Sequence, residues 1–315
     1  MSRAATLLAL LLVACSGEES LTRGLTEPLR IDGAQFREGP LPGGPATGDS
    51  EGQPAITLFD SPGVVAPGLL DRRISGRATP GSAAVGVRFK DIGTGYWLLR
   101  TTNADIVNNG ELLWGGAATF ARNPTAGKHD LLAVAFDADG RPGPQTSSEV
   151  CLSPEIPDNG NACDPTQAPP KLVISLAWNT AVDLDLRVVT PSGKVVDSKR
   201  PTTAERDEDE PLDPSAEGVG QILFDSNAGC EIDGQQRESL VFQTRPPAGS
   251  YLIYASLFEA CGEDSVELSA TVTSSVPAGD AFTQVETLRV SGSLQALQAS
   301  SGASLGTFLT QFVIR

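Results

Sequence analysis

The chain has 315 residues, a formal charge of −16, 33 glycines, 23 prolines and only 5% aromatic residues. That length with so few large side chains can bury one or two modest cores. The acidity argues against nucleic acid or an anionic lipid surface as a partner, and suits a cation-rich surrounding.

The N-terminus, MSRAATLLALLLVAC, carries one positive residue, Arg3, and then an apolar run from Ala4 to Ala14. The run is too short to span a bilayer and has the shape of a secretory signal. It ends in Leu12-Val13-Ala14-Cys15 and is followed by the polar Ser16-Gly17-Glu18-Glu19. This stretch resembles the lipobox of bacterial lipoproteins, which implies a signal peptide over 1–14 and acylation of Cys15; an ordinary secretory signal with an incidental cysteine is the alternative. Two or more acyl chains anchor a protein stably. The same resemblance, with Ser16 rather than aspartate after the cysteine, points to the outer membrane, facing the periplasm or the cell surface.

From residue 15 to 53 the sequence is rich in Gly, Pro, Glu and Ser, as in EGPLPGGPATGDSEGQP, and reads as a disordered tether. Residues 54–150 hold short β-type runs (AITLF, RRISGRA, AAVGVRFKD, GYWLLRTT, ELLWGGAATFAR, HDLLAVAFDADG) divided by turn clusters, the pattern of an all-β sandwich. The closing PTAGKHDLLAVAFDADGRPGP resembles the last hairpin of immunoglobulin-like or fibronectin-type modules. Residues 151–170, CLSPEIPDNGNACDPTQAPP, read as a disulfide-pinned linker.

A second β-domain occupies 171–315. In KLVISLAWNTAVDLDLRVVTPSGKVV, Leu172, Ile174, Leu176, Trp178, Leu184, Leu186 and Val188 share one parity, as the core face of strands requires, so Asp183, Asp185 and Arg187 occupy the other face. Further strands are expected at QILFD, ESLVFQT, YLIYASLF, SVELSATVTSSV and in the tail.

The order LAWNTAVDLDLRVVTPSGKVV, FDSNAGC, ESLVFQTRPPAGSYLIYASLFEACG, VELSATV resembles the YfaP-type domain of unknown function over about a hundred residues. The resemblance implies a jelly-roll-like sandwich of extracytoplasmic proteins and no established chemistry. The chain departs from the commoner family form in having Arg187 where a histidine is frequent and RESLVF where PENI is usual, although Glu238 keeps the carboxylate. The same stretches look like β-sandwich modules at the C-termini of secreted peptidases.

Setting Cys15 aside leaves Cys151, Cys163, Cys230 and Cys261, an even number for an oxidising compartment. Of the three connectivities, Cys151 with Cys163 and Cys230 with Cys261 are expected because each pair lies within one segment; loops of those lengths stabilise by roughly 3 to 4 kcal/mol. A zinc site lacks support, with no CxxC spacing and one histidine.

Asp183 and Asp185 lie about 6.5 to 7 Å apart along a strand, and two such carboxylates repel unless a cation or hydrogen bonds offset them. Calcium is one answer, with Asp225, Asn227 or Glu238 completing its six to eight oxygens; hydrogen bonding and pairing with Arg187 is the other. Catalysis by the pair would need a substrate cleft that nothing in the sequence marks. His129 is expected at the surface, the run ERDEDEPLD as a solvated loop, and Tyr96, Trp97 and Trp114 in a core rather than on a glycan platform.

The sequence thus predicts an all-β protein of two β-sandwich domains, immunoglobulin-like and then jelly-roll-like, after a signal peptide and disordered tether. Its expected role is that of a non-enzymatic envelope lipoprotein, a binding or structural module with calcium as candidate stabiliser. Its partners would be the membrane, through the lipid anchor, and envelope proteins or glycans, with no nucleic acid. The alternatives are a hydrolase or hydrolase accessory using the Asp183/Asp185 face, and a peptidase-binding partner.

Overall fold

The computed structural model describes residues 24–43, 52–105, 107–108, 110–205, 211–279 and 281–315. The signal-like segment, Cys15 and most of the acidic run lie outside them. Among the described residues the regular structure is strand, apart from single 3-10 turns at Ala228–Cys230 and Ala296–Gln298.

The first sandwich comprises β1 (Leu29–Ile31), β2 (Gln35–Glu38), β3 (Ile56–Asp60), β4 (Val64–Val65), β5 (Arg72–Ala78), β6 (Ser82–Phe89), β7 (Gly95–Arg100), β8 (Leu112–Phe120), β9 (Gly127–Asp137) and β10 (Pro142–Leu152). A four-stranded sheet in the order β1-β8-β5-β3 faces a six-stranded sheet in the order β2-β7-β6-β9-β10-β4. Alternation along β9 places Leu131, Ala133 and Ala135 in the core between the sheets. Val134 and Phe136 point outward, where Leu41 covers them.

That cover corrects the expected tether. Residues 29–43 belong to the sandwich: β1 pairs with β8 and β2 with β7, and Gln145 donates to the carbonyls of Leu41 and Gly43. Leu29 and Ile31 are buried, an alternation too brief to stand out in a Gly- and Pro-rich stretch. His129 is also a correction. The strand begins at Gly127, so His129 shares the inward parity of Leu131 and is buried. Its Nδ1 lies 2.9 Å from Asp91 and its Nε2 2.8 Å from the Thr125 carbonyl, so both nitrogens are engaged. Trp114 is in the core against Phe59, the Trp97 indole donates to the Leu29 carbonyl, and Tyr96 stacks on Phe136.

The second sandwich comprises β11 (Leu172–Trp178), β12 (Asp183–Val189), β13 (Val195–Val196), β14 (Gly220–Leu223), β15 (Arg237–Phe242), β16 (Gly249–Glu259), β17 (Ser265–Ala278), β18 (Ala281–Gln295) and β19 (Thr307–Ile314). Its sheets run β14-β15-β11-β17-β18 and β13-β12-β16-β19. The core holds all seven apolar residues that share a parity in the sequence, from Leu172 to Val188. Disulfides join Cys151 to Cys163 and Cys230 to Cys261. Cys151 lies inside β10 rather than in the linker, so that bridge ties the linker to the first sandwich.

The two sandwiches touch. The Leu70 N–H donates to the Asp233 carbonyl at 3.1 Å, Arg122 bonds Gln236, and Gly68 and Gly234 approach each other so closely that a Cβ on Gly234 would strike the Gly68 carbonyl and Leu70.

Candidate metal centre

The turn Asn179–Val182 returns the chain from β11 into β12 in the facing sheet, and β12 is buried on both faces. Leu184, Leu186 and Val188 enter the core. The opposite face does not meet solvent: Asp183 and Asp185 are each only 3% exposed, and Arg187 is buried beside them. The covering comes from the loop after β14 and from residues 197–200.

The β14–β15 loop is shaped by left-handed backbone at Phe224 (φ 66°), Asn227 (60°), Gly229 (59°) and Cys230 (63°). Such a run is costly for side chains other than glycine and asparagine, and several contacts hold it. The Asn227 side chain donates to the Val182 carbonyl and accepts from the Asp233 N–H. Ser226 Oγ donates to the Arg237 carbonyl, and the Cys230–Cys261 bridge fastens the loop to the turn after β16. The Gly229 N–H thereby reaches Asp183 Oδ2 at 2.7 Å.

One carboxylate oxygen from each of Asp183, Asp185 and Asp225 lies within 4.8 Å of the others. Oxygens bound to a calcium ion sit about 2.3 to 2.6 Å from it, so ligands of one ion are separated by no more than about 5 Å. The remaining oxygens are partly engaged. Ser198 Oγ donates to Asp185 at 3.0 Å, and Arg187 lies 3.5 Å from Asp185 and 3.9 Å from Asp197. Glu238, on the core-facing parity of β15, accepts the Leu186 N–H through Oε2 at 2.7 Å, while its buried Oε1 has no hydrogen-bond partner.

The electrostatics follow from burial. Loss of water pushes Asp183 up to about 6, with help from the charges of Asp185, Asp225 and Glu259 and against the Gly229 N–H. Asp185 is raised by burial against Ser198 and Arg187, and Asp225, although exposed, is raised by partial loss of water against Lys199. Glu238 is raised well above the carboxylate range, first by burial and then by Asp185 and Asp225. Four acids that resist ionisation side by side, one with an orphaned oxygen, form a donor set that a hard divalent cation fits.

Of the five ligands expected from sequence, Asp183, Asp185 and Asp225 come together and Glu238 lies close enough to feel two of them. Asn227 does not serve, because both ends of its amide hold the loop. Sequence reasoning missed Ser198, the Gly229 N–H and Glu259, which pairs with Asp183 across β12 and β16. Only the alternation of YLIYASLFE could have pointed to Glu259. Arg187 supplies a counter-charge beside Asp185 and Asp197, and Arg200 pairs with Asp197 at 3.1 Å.

No protein-family model matches the chain, and no curated protein is similar to it. Among solved structures it is similar to Clostridium thermocellum CbhA fibronectin(III)-like modules at 12% identity, covering 80% of this chain and 97% of that one with a TM-score of 0.19. A second likeness is to a structure described as manganese lipoxygenase of Gaeumannomyces graminis and partial zonadhesin of Komagataella pastoris, at 12% identity over 76% of this chain and 94% of that one, TM-score 0.20. A third is to the C-terminal domain of the Streptococcus agalactiae AgI/II polypeptide BspA, at 10% identity over 76% and 99%, TM-score 0.18. The fold assignment rests on the strands themselves.

Proposed function

We propose that this protein is a non-enzymatic lipoprotein of the cell envelope, anchored in the outer membrane through Cys15, whose second sandwich is a binding or structural module clamped by a calcium ion. The observation that carries the reading is the convergence of Asp183, Asp185 and Asp225 within 4.8 Å, with the unpartnered Glu238 Oε1 nearby. Calcium suits the site better than magnesium, because the donors are carboxylates on a strand and a loop with no regular octahedron imposed, and calcium accepts irregular coordination. The burial of both strand aspartates supports a structural ion over hydrolysis, since a substrate must reach the acids that act on it.

Calorimetric titration of the calcium-stripped protein tests the reading: one ion binds per chain, and Asp225→Asn weakens binding at least about tenfold, a loss of about 1.4 kcal/mol. Absence of any saturable heat would remove the calcium clamp. The anchor is tested separately by Cys15→Ser, which moves the protein from the membrane to the soluble fraction.

A further inference from the structure

A groove of about 610 Å³ opens between the two sandwiches, within the range of about 300 to 1,000 Å³ usual for ligand sites, which favour domain interfaces. Its floor is the outward face of β11, β15 and β17, where Ala177, Ser239, Ser269 and Thr271 are all small. One wall is formed by Pro67 and Arg122 of the first sandwich and by the linker from Ser153 to Asp158. None of the acids of the metal cluster lines it.

The lining says what it would hold. Three arginines, Arg122, Arg237 and Arg289, face three acids, Glu155, Asp158 and Glu286. Arg237 is 3.2 Å from Glu155, and Arg289 grips Glu286 through two nitrogens. Paired charges of equal number select against a strongly anionic or cationic guest. Among the amides, Asn179 is bonded at both ends to Glu267, the Gln236 oxygen accepts from Arg122 and Asn123 reaches Glu155, which leaves the Gln235 side chain to donate and accept at once, as sugar hydroxyls do.

The floor strands are interior to their sheet, with a neighbour on either side, so their backbone groups are already bonded to one another. An extended peptide, which binds chiefly by adding to a free sheet edge, finds none here. At the rim stands Phe224, 56% exposed on a left-handed backbone of φ 66°. A bulky residue held in that conformation and turned toward water is strained, and such strain gathers at ligand sites.

We infer that the interdomain groove binds a neutral oligosaccharide, with Phe224 as the stacking surface and Ser269, Thr271 and Gln235 as its hydrogen-bonding partners. The test titrates the purified full chain with short neutral oligosaccharides of glucose, xylose, mannose and N-acetylglucosamine, with a neutral peptide and an acidic oligosaccharide alongside. Two variants accompany it. Phe224→Gly removes the ring and relieves the left-handed backbone, so the fold is kept; Ser269→Trp fills the floor. The expected result is saturable binding of at least one neutral sugar, weakened about tenfold by Phe224→Gly and abolished by Ser269→Trp, with melting temperatures no lower than that of the parent. The inference is overturned by any of three results: no neutral sugar binds, only the peptide or the acidic sugar binds, or sugar binding survives both substitutions.

Discussion

At the scale of single residues, the second sandwich holds buried acids that would rather be protonated. Asp183 is raised to about 6 in the folded chain from an ordinary 3.8, so the folded state binds more protons than the unfolded one between those values. By linkage, stability from this group is fully present below about pH 4 and is lost as pH rises through 6; Asp185, Asp225 and Glu238 shift in the same direction. In calcium-stripped buffer the melting temperature of the parent therefore falls more steeply from pH 5 to pH 7 than that of Asp183→Asn, and a parallel pair of curves would refute this. Arg187 carries the opposite charge in the cluster. Replacing it with methionine leaves the buried Asp185 without its charged partner, while Asp197 keeps Arg200, and chemical denaturation should show a loss of roughly 3 kcal/mol.

At the scale of elements, what was legible in the sequence was the alternation. The parity of Leu184, Leu186 and Val188 put the three charged residues of β12 on one face, and the spacing of cysteines within segments gave both disulfides. Asp225 could be named but not placed, because its position depends on a run of left-handed residues from Phe224 to Cys230 that no periodicity announces. The burial of Asp183 and Asp185 was equally hidden, since it comes from loops distant in sequence. β1 and β2 were missed because strands of three and four residues in a Gly- and Pro-rich stretch leave no pattern. The loop after β14 also makes a prediction. Cys230→Ser/Cys261→Ser frees it from the turn after β16, which should cost about 3 to 4 kcal/mol of stability and weaken calcium binding as measured by titration, because Asp225 and the Gly229 N–H then lose their fixed positions. Unchanged affinity would mean that the Asn227 and Ser226 contacts hold the loop unaided.

At the scale of the molecule, the backbones of the two sandwiches approach each other at Gly68 and Gly234. Gly234 has φ 85°, and any Cβ there meets the backbone of the other sandwich. Gly234→Ala should open the interface, visible as a larger radius of gyration in solution scattering, while each sandwich keeps its own core. The net charge of −16 opposes compaction through self-repulsion.

The most direct measurement is the melting temperature of the second sandwich within the full chain, with calcium and with chelator, for the parent and for Asp183→Asn/Asp185→Asn. Calcium at a hundredfold excess over its dissociation constant stabilises by about 2.7 kcal/mol, a rise of about 5 to 10 °C for a domain of this size, and the double variant should show no such rise. A parent whose melting temperature ignores calcium, or a double variant that still responds to it, would contradict the account.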